Sequence, residues 1–250
     1  MKQKLRNRNF VAALTLALSV AGLLLRLLQR HGALGGSLLP LLILSAAVLV
    51  LAALTASAAH RRAGFSSNQR PSFMLLVVLL GALFMMLGGI LRAQTLQGVQ
   101  KYAALAGGTL GGLLLFAAVV QTLRNRCPSM LLYAALTLML AFQLIFDFRA
   151  WSVDPKIADY CFRLFAAICL MGLSFQLCGF TAGMGRRREA ILFCLPGTFF
   201  CLLCVADGTA GLVLSYLGGG LYLLGELWTL LAPPRRRSVP QETEIQDIHE

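Results

Sequence analysis

Six polar side chains stand out in this chain for the chemistry they could do: Gln143, Asp147, Asp159, Arg163, Asp207 and Glu226. A carboxylate among apolar residues can exchange a proton or hold a cation, and a carboxylate beside a guanidinium can lock two segments together. Acids are scarce, so their positions carry information. There are 10 Asp and Glu among 250 residues, and Glu242, Glu244, Asp247 and Glu250 belong to the last stretch. Asp147, Asp154 and Asp159 all fall in FDFRAWSVDPKIADYCFR, residues 146–163, together with Arg149, Lys156 and Arg163.

Other chemistries lack their signatures. The sequence holds no GxxxxGK[ST] phosphate loop, no HExxH, no GxSxG elbow and no His–carboxylate set within its apolar segments. General acid–base work would have to rest on Asp147, Asp207 or Glu226. Cysteine suggests no alternative. All but Cys127 fall between Cys161 and Cys204, in apolar surroundings that supply none of the positive charge a reactive thiol needs. His31, His60 and His249 are far from them, so neither a metal site nor a cofactor is expected, and the chain reads as a non-enzyme.

The elements that must position these residues follow from composition. Hydrophobic residues make up 58% and charged residues 13% of the chain, against roughly 45–50% and about 25% in globular proteins. Lipid is the solvent that such a composition fits. Crossing about 30 Å of hydrocarbon takes about 20 apolar residues as helix, because each backbone N–H and C=O must be satisfied within its own segment. Eight stretches qualify: Phe10–Leu28, Leu38–Ala59, Phe73–Leu91, Tyr102–Leu123, Met130–Phe148, Pro155–Phe180, Ala190–Val205 and Ala210–Leu231. The expected fold is an all-α polytopic membrane bundle over residues 10–232, with a basic N-terminal segment, 1–9, and a disordered tail, 233–250. A cleavable leader is the rival for the first span, but no small-x-small site follows it and RLLQRH intervenes.

Charge sets the expected orientation. The net charge of +12 is dispersed among helix ends instead of forming a stripe, which argues against nucleic acid. With the N-terminus inside, Lys2, Lys4, Arg6, Arg8, Arg61, Arg62, Arg70, Arg124, Arg126, Arg186–Arg188 and Arg235–Arg237 lie on the cytoplasmic side. Arg26, Arg30, Arg92, Lys101, Arg149, Lys156 and Arg163 lie outside. Positive-inside bias therefore places both termini in the cytoplasm. The chain also repeats weakly: PSFMLLVVLLGALFMMLGGILRA from Pro71 and PSMLLYAALTLMLAFQLIFDFRA from Pro128 share the interval between Pro-Ser and Arg-Ala. That pattern is consistent with a helical hairpin used four times, the fourth carrying Asp207 where the others carry an outer Arg.

Within this frame the 146–163 segment lies at the outer face. Asp154 before Pro155 is a helix start. Asp159 and Arg163 are four residues apart and can meet on one helix face, while Asp147, with Gln143 one turn below, and Asp207 close neighbouring helices at the same level. The expected arrangement is a clasp of helices five, six and seven through Asp147, Arg163 and Asp207, with an outward vestibule as the functional alternative; Trp151 and Tyr160 suit the interfacial belt. Along helix eight Gly211, Ser215, Gly219, Tyr222 and Glu226 share one face, and Glu226 lies close enough to the cytoplasmic end to reach Arg186 or Arg235. Gly218–Gly220 could break helix eight, and Pro196-Gly197 could kink helix seven. Gly107, Gly111, Gly108 and Gly112 permit close approach of helix four to another helix, within the chain or in a second copy.

FDFRAWSVDPKIADYCFR, with GFTAGMGRRR downstream, resembles uncharacterised eight-span bacterial inner-membrane proteins. The resemblance is confined to residues 146–188 and implies the eight-span fold without assigning an activity or a functional residue. The expected role is a non-catalytic accessory or scaffold protein among membrane lipids, with a membrane-protein partner. A small-solute or ion permease using Glu226 and the Asp147/Arg163/Asp207 group is the alternative.

Overall fold

A computed structural model of the chain describes residues 2–31, 38–58, 72–124, 126–151 and 157–231; the side chains of residues 2–8, 151 and 157–159 fall outside that description. The described residues form helices and no strand: α1 (Lys2–Arg30), α2 (Leu39–Ala58), α3 (Ser72–Thr95), α4 (Val99–Leu123), α5 (Met130–Trp151), α6 (Ile157–Thr181), α7 (Arg187–Val205) and α8 (Ala210–Leu231). All eight contain a stretch long and apolar enough to cross a membrane. The protein is thus an all-α polytopic membrane bundle. Its helices match the apolar runs, except that α1 and α7 extend into the basic residues before them. The Asp154 cap, the Asp159 and Trp151 side chains, Arg235 and the tail from 233 onward lie outside what is described.

The helices from α3 to α8 follow one another around a closed ring, each packed on the next, and α8 returns to pack on α3. Outside the ring, α1 and α2 lie against α7, which is therefore surrounded on most sides. Consistent with that position, Ile191, Cys194, Leu195, Phe199, Leu203 and Cys204 of α7 are completely or almost completely buried. The lipid side of α5, by contrast, exposes Leu131, Leu138, Ile145 and Phe148. Both α7 and α8 run unbroken, so neither Pro196-Gly197 nor Gly218–Gly220 interrupts its helix.

The ring closes through the most extensive helix pairing in the protein, α3 with α8. A seam of glycines makes it possible. A Cβ placed on Gly81 would lie 2.8 Å from the Gly218 carbonyl oxygen, and one on Gly211 would lie 2.6 Å from the Arg92 nitrogen; one on Gly88 would collide with the backbone of Ser215. Gly81 and Gly88, like Gly211, Gly218 and Gly225, recur every seven residues, which keeps them on one side of a helix. Lipid gives apolar side chains no reason to leave it for each other, so association rests on close packing, and small residues let backbones approach.

In α4, the segment Leu105–Leu110 is a π-helix, a feature that the sequence reading did not anticipate. Around it, Gly108 meets Gly89 of α3, Gly112 meets Ala82 and Met86 of α3, Gly107 meets Gln143 of α5, and Gly111 faces Leu136 of α5. The four glycines offered for self-association are therefore covered by helices of the same chain. In the π turn the Thr109 hydroxyl has no hydrogen-bond partner among the described residues. Thr122 and Thr198, in regular helix, donate to the carbonyls four residues earlier.

Replacing Gly88 with Val should lower the melting temperature of the purified protein in detergent, at a cost of at least about 1–3 kcal/mol from overpacking against backbone. Leu138→Val, on the lipid face, should change stability by no more than about 0.5 kcal/mol. Equal effects would refute the α3–α8 seam as a point of close contact.

Candidate functional site

At one end of the bundle the odd-numbered helices, which all run the same way, bring charged side chains to one level. Asp207 sits in the turn just after α7, with its side chain only 3% exposed. Arg26 of α1 donates from Nε to both carboxylate oxygens at 3.0 Å and approaches Oδ2 with Nη2 at 3.0 Å. Arg30, one turn further along α1, pairs with Oδ1 at 3.0 Å and donates from Nη1 to the Ala206 carbonyl. Arg163 of α6 donates from Nη2 to the Asp207 carbonyl at 2.7 Å. The end of α7 presents carbonyls without intrahelical donors, and guanidiniums supply them. Two of these cations also lie against rings, Arg26 over Phe162 at 5.7 Å and Arg163 over Tyr160 at 5.5 Å.

The second pair joins α3 to α5. Arg92 Nη2 meets Asp147 Oδ1 at 2.6 Å, and both residues are buried. Gln143, one turn before Asp147, donates from Nε2 to Oδ2 at 3.4 Å, while its amide rests against Gly107 of α4. The expected clasp of helices five, six and seven is found only between six and seven, where Arg163 engages the Asp207 main-chain oxygen, and is corrected for the rest: Asp147 turns to α3 and the Asp207 carboxylate turns to α1. The ring explains the difference in part, since α3 and α5 both flank α4 and the Arg92–Asp147 pair links them. A signal for these pairs was available, because α1, α3, α5 and α7 carry Arg26, Arg92, Asp147 and Asp207 in or just after their last turns, two of each sign at one level. The Asp159 side chain, and with it the Asp159–Arg163 contact, lies outside the described residues.

Glu226 occupies the other half of the ring. It is 1% exposed, and Thr229 Oγ1 lies 3.4 Å from its Oε2. One turn beyond it, Arg187 of α7 donates from Nε to the Leu230 carbonyl at 2.6 Å. Arg186, expected within reach of Glu226, pairs instead with Glu189 at 2.8 Å, and Gln176 of α6 donates to the other oxygen of Glu189 at 2.6 Å. Deeper in the ring the Tyr222 hydroxyl lies 3.4 Å from Ser174 Oγ, and both residues are almost completely buried. Ser174 gives its one hydrogen to the Leu170 carbonyl, so Tyr222 is the donor between them. The face expected on helix eight is divided: Gly211 and Ser215 meet α3, Gly219 meets Leu170 of α6 and Cys201 of α7, and Tyr222 reaches α6. A helix enclosed by three neighbours has no single inner face.

All seven cysteines are free: Cys169, Cys178, Cys194, Cys201 and Cys204 are buried, Cys161 is partly buried and Cys127 is exposed. Among the described residues no three His, Cys, Asp or Glu side chains gather as a metal site would require. Fold and site define an integral, polytopic α-helical membrane protein. Comparison with known proteins finds no matching family model, no matching curated protein and no matching solved structure.

The two arginines on Asp207 should differ in effect. Arg26→Ala removes the buried partner of a buried carboxylate and is expected to cost about 3–5 kcal/mol. Arg30, whose side chain is 54% exposed, behaves as a surface ion pair, and Arg30→Ala should cost about 0–1 kcal/mol. Thermal melts of both variants in one detergent would check the ranking, and a larger loss for Arg30→Ala would reverse the assignment.

Proposed function

We propose that the protein is a non-catalytic accessory or scaffold protein of the inner membrane, with both termini cytoplasmic, acting through contact with another membrane protein. One observation carries this reading: the two acids at the charged end are committed to internal structure. Both Asp207 oxygens accept from α1, and the Asp147 oxygens accept from Arg92 and Gln143. A carboxylate already held by fixed donors is poorly placed to take up and release a substrate at each turn of a cycle. The unbroken course of α7 and α8 adds support, since carriers commonly hold ions at interrupted helices. The asymmetry of Lys and Arg between the two faces supports the orientation.

A second reading, a small-solute or ion permease, is favoured by a different observation. Glu226, Tyr222 and Ser174 bring ionisable and hydroxyl groups inside the ring, away from lipid. Buried polar groups at such depth are costly in a membrane and frequently mark pathways.

Uptake by proteoliposomes across a panel of metabolites and cations, comparing the native chain with Glu226→Gln, separates the two. The accessory reading expects no uptake that depends on Glu226, together with one membrane protein that repeatedly co-purifies and cross-links to the bundle. Uptake abolished by Glu226→Gln would replace it with the permease.

A further inference from the structure

The hydroxyl of Thr229 bears on the form that Glu226 takes. It has one hydrogen, and its better acceptor is the main-chain carbonyl of Glu226, 2.8 Å away. Toward Glu226 Oε2, at 3.4 Å, the same oxygen is left with a lone pair. A lone pair repels an ionised carboxylate, whereas a neutral carboxyl can donate its hydrogen to it. One turn away on α8 the pattern recurs: Ser174 gives its hydrogen to the Leu170 carbonyl and offers a lone pair to the Tyr222 hydroxyl. An acid and a phenol on one helix thus face two hydroxyls whose hydrogens are spent on main-chain oxygens.

The surroundings suit a proton better than a metal cation. Gly219 meets Leu170 of α6 and Cys201 of α7. Seven residues along each helix from those contacts, two turns in the same register, Glu226 comes opposite Leu177 and Cys194, both buried. On the side of α3, Val78 packs against Gly225. A metal cation stripped of water needs about six oxygen ligands. At this level Val78, Leu177 and Cys194 carry none in their side chains, and the carbonyls of unbroken α7 and α8 serve their own helices. A proton needs one oxygen. Among the described residues the titratable and charged groups around Glu226 are Tyr222 on its own helix, Cys194 and Arg187 on α7, and Cys178 beside Leu177 on α6; Tyr133 of α5 lies beyond Tyr222, near the level of Ser174, because Cys178 rests against Met130. The end of α1 that would reach this depth, Ala13 to Ala17 given the contact of Gly22 with Phe199, holds no ionisable residue. Arg187 donates from Nε and Nη2 to the Leu230 carbonyl, one turn from Glu226, and its charge offsets the one left when a proton departs.

We propose that Glu226 is a proton-binding site, which holds the proton as a neutral acid against Thr229 and exchanges it with water at the end of the bundle where α8 stops. When the proton leaves for water, the Thr229 hydroxyl rotates, and its hydrogen passes from the main-chain carbonyl to the carboxylate. Thr229 is half-buried between buried Glu226 and the surface, and Glu226 lies five residues before the end of α8 at Leu231, roughly 8 Å by helical rise. The proton is then the ion of the permease reading. Only that last step rests on the permease; the site itself does not.

Infrared difference spectra of the whole chain in nanodiscs, recorded from acid to alkaline pH in light and heavy water, test the site. Isotope-labelled glutamate separates Glu from Asp without any substitution. The native chain should show at near-neutral pH a carboxylic-acid C=O band carried by the label, which shifts in heavy water as the acid proton exchanges and is lost at alkaline pH as carboxylate forms. Glu189, paired with Arg186, should add nothing to that band, and Glu226→Gln should abolish it. Thr229→Val takes a donor from the ionised form and should move the half-titration point by about threefold or more in proton concentration. The proposal is overturned if the label carries no acid band at near-neutral pH, if the band survives Glu226→Gln or never exchanges, or if Thr229→Val titrates as the native chain does. The label keeps the test decisive should Glu226→Gln fail to fold. A band that titrates in a protein showing no uptake in proteoliposomes supports the site and removes only the permease, whereas Glu226-dependent uptake without the band keeps the permease and overturns the proton site.

Discussion

A carboxylate and a guanidinium are tolerable away from water only together, and two such pairs govern how one end of this bundle is assembled. Each joins two helices that run in the same direction, so their charged ends meet without either chain having to bend. Arg92 with Asp147 spans the position of α4 and ties two members of the ring together. Arg26 with Asp207 reaches out of the ring to α1, which is far less buried than the α7 helix it is tied to. The ion pairs do not supply much net stability in themselves, since desolvation offsets most of their attraction. Their consequence is selective: a helix in the wrong place would leave a buried charge without its partner.

Closure of the ring depends on a different contact. Between α3 and α8 the backbones approach so closely that side chains at Gly81, Gly88, Gly211 and Gly218 could not be accommodated. Once those two helices meet, the helices from α4 to α7 complete a circuit whose interior is filled by Leu136, Leu173, Leu177 and Leu223, with Tyr222 and Ser174 paired among them. The π turn in α4 belongs to the same logic. It lies where Gly107 and Gly108 contact both α5 and α3, and a widened turn lets one helix satisfy two neighbours that its regular pitch would serve less well.

Much of this was legible in the residues because lipid imposes a strict rule on spans. Backbone groups must be satisfied within each segment, so eight apolar runs bounded by Arg, Gly and Pro translate almost directly into eight helices. The same reasoning put Asp147 and Asp207 at one level at the ends of their helices, with Gln143 one turn below Asp147; that both acids are buried, and that Gln143 bonds Asp147, are findings of the structure. Partner choice was less accessible. Asp159 four residues before Arg163 drew attention to a local pair, whereas the actual partners of Asp147 and Asp207 come from 55 and 181 residues away. Helical periodicity places a residue on a face but does not say which helix covers that face. Gly219 and Gly218 are adjacent in sequence, yet one meets α6 and α7 and the other meets α3.

Long-range pairing between buried charges assembles this end of the bundle, and Arg92 with Asp147 is the cleaner of the two pairs because a single guanidinium holds the carboxylate. A double-mutant cycle with Arg92→Leu, Asp147→Leu and both together, read as unfolding free energy in one detergent, measures that pairing directly. Each single variant should lose about 3–5 kcal/mol, because it strands a buried charge. The double variant should lose less than the sum by about 1–3 kcal/mol. Losses that simply add, to within about 0.5 kcal/mol, would mean that the two side chains do not meet in the membrane and that this end of the bundle is assembled in some other way.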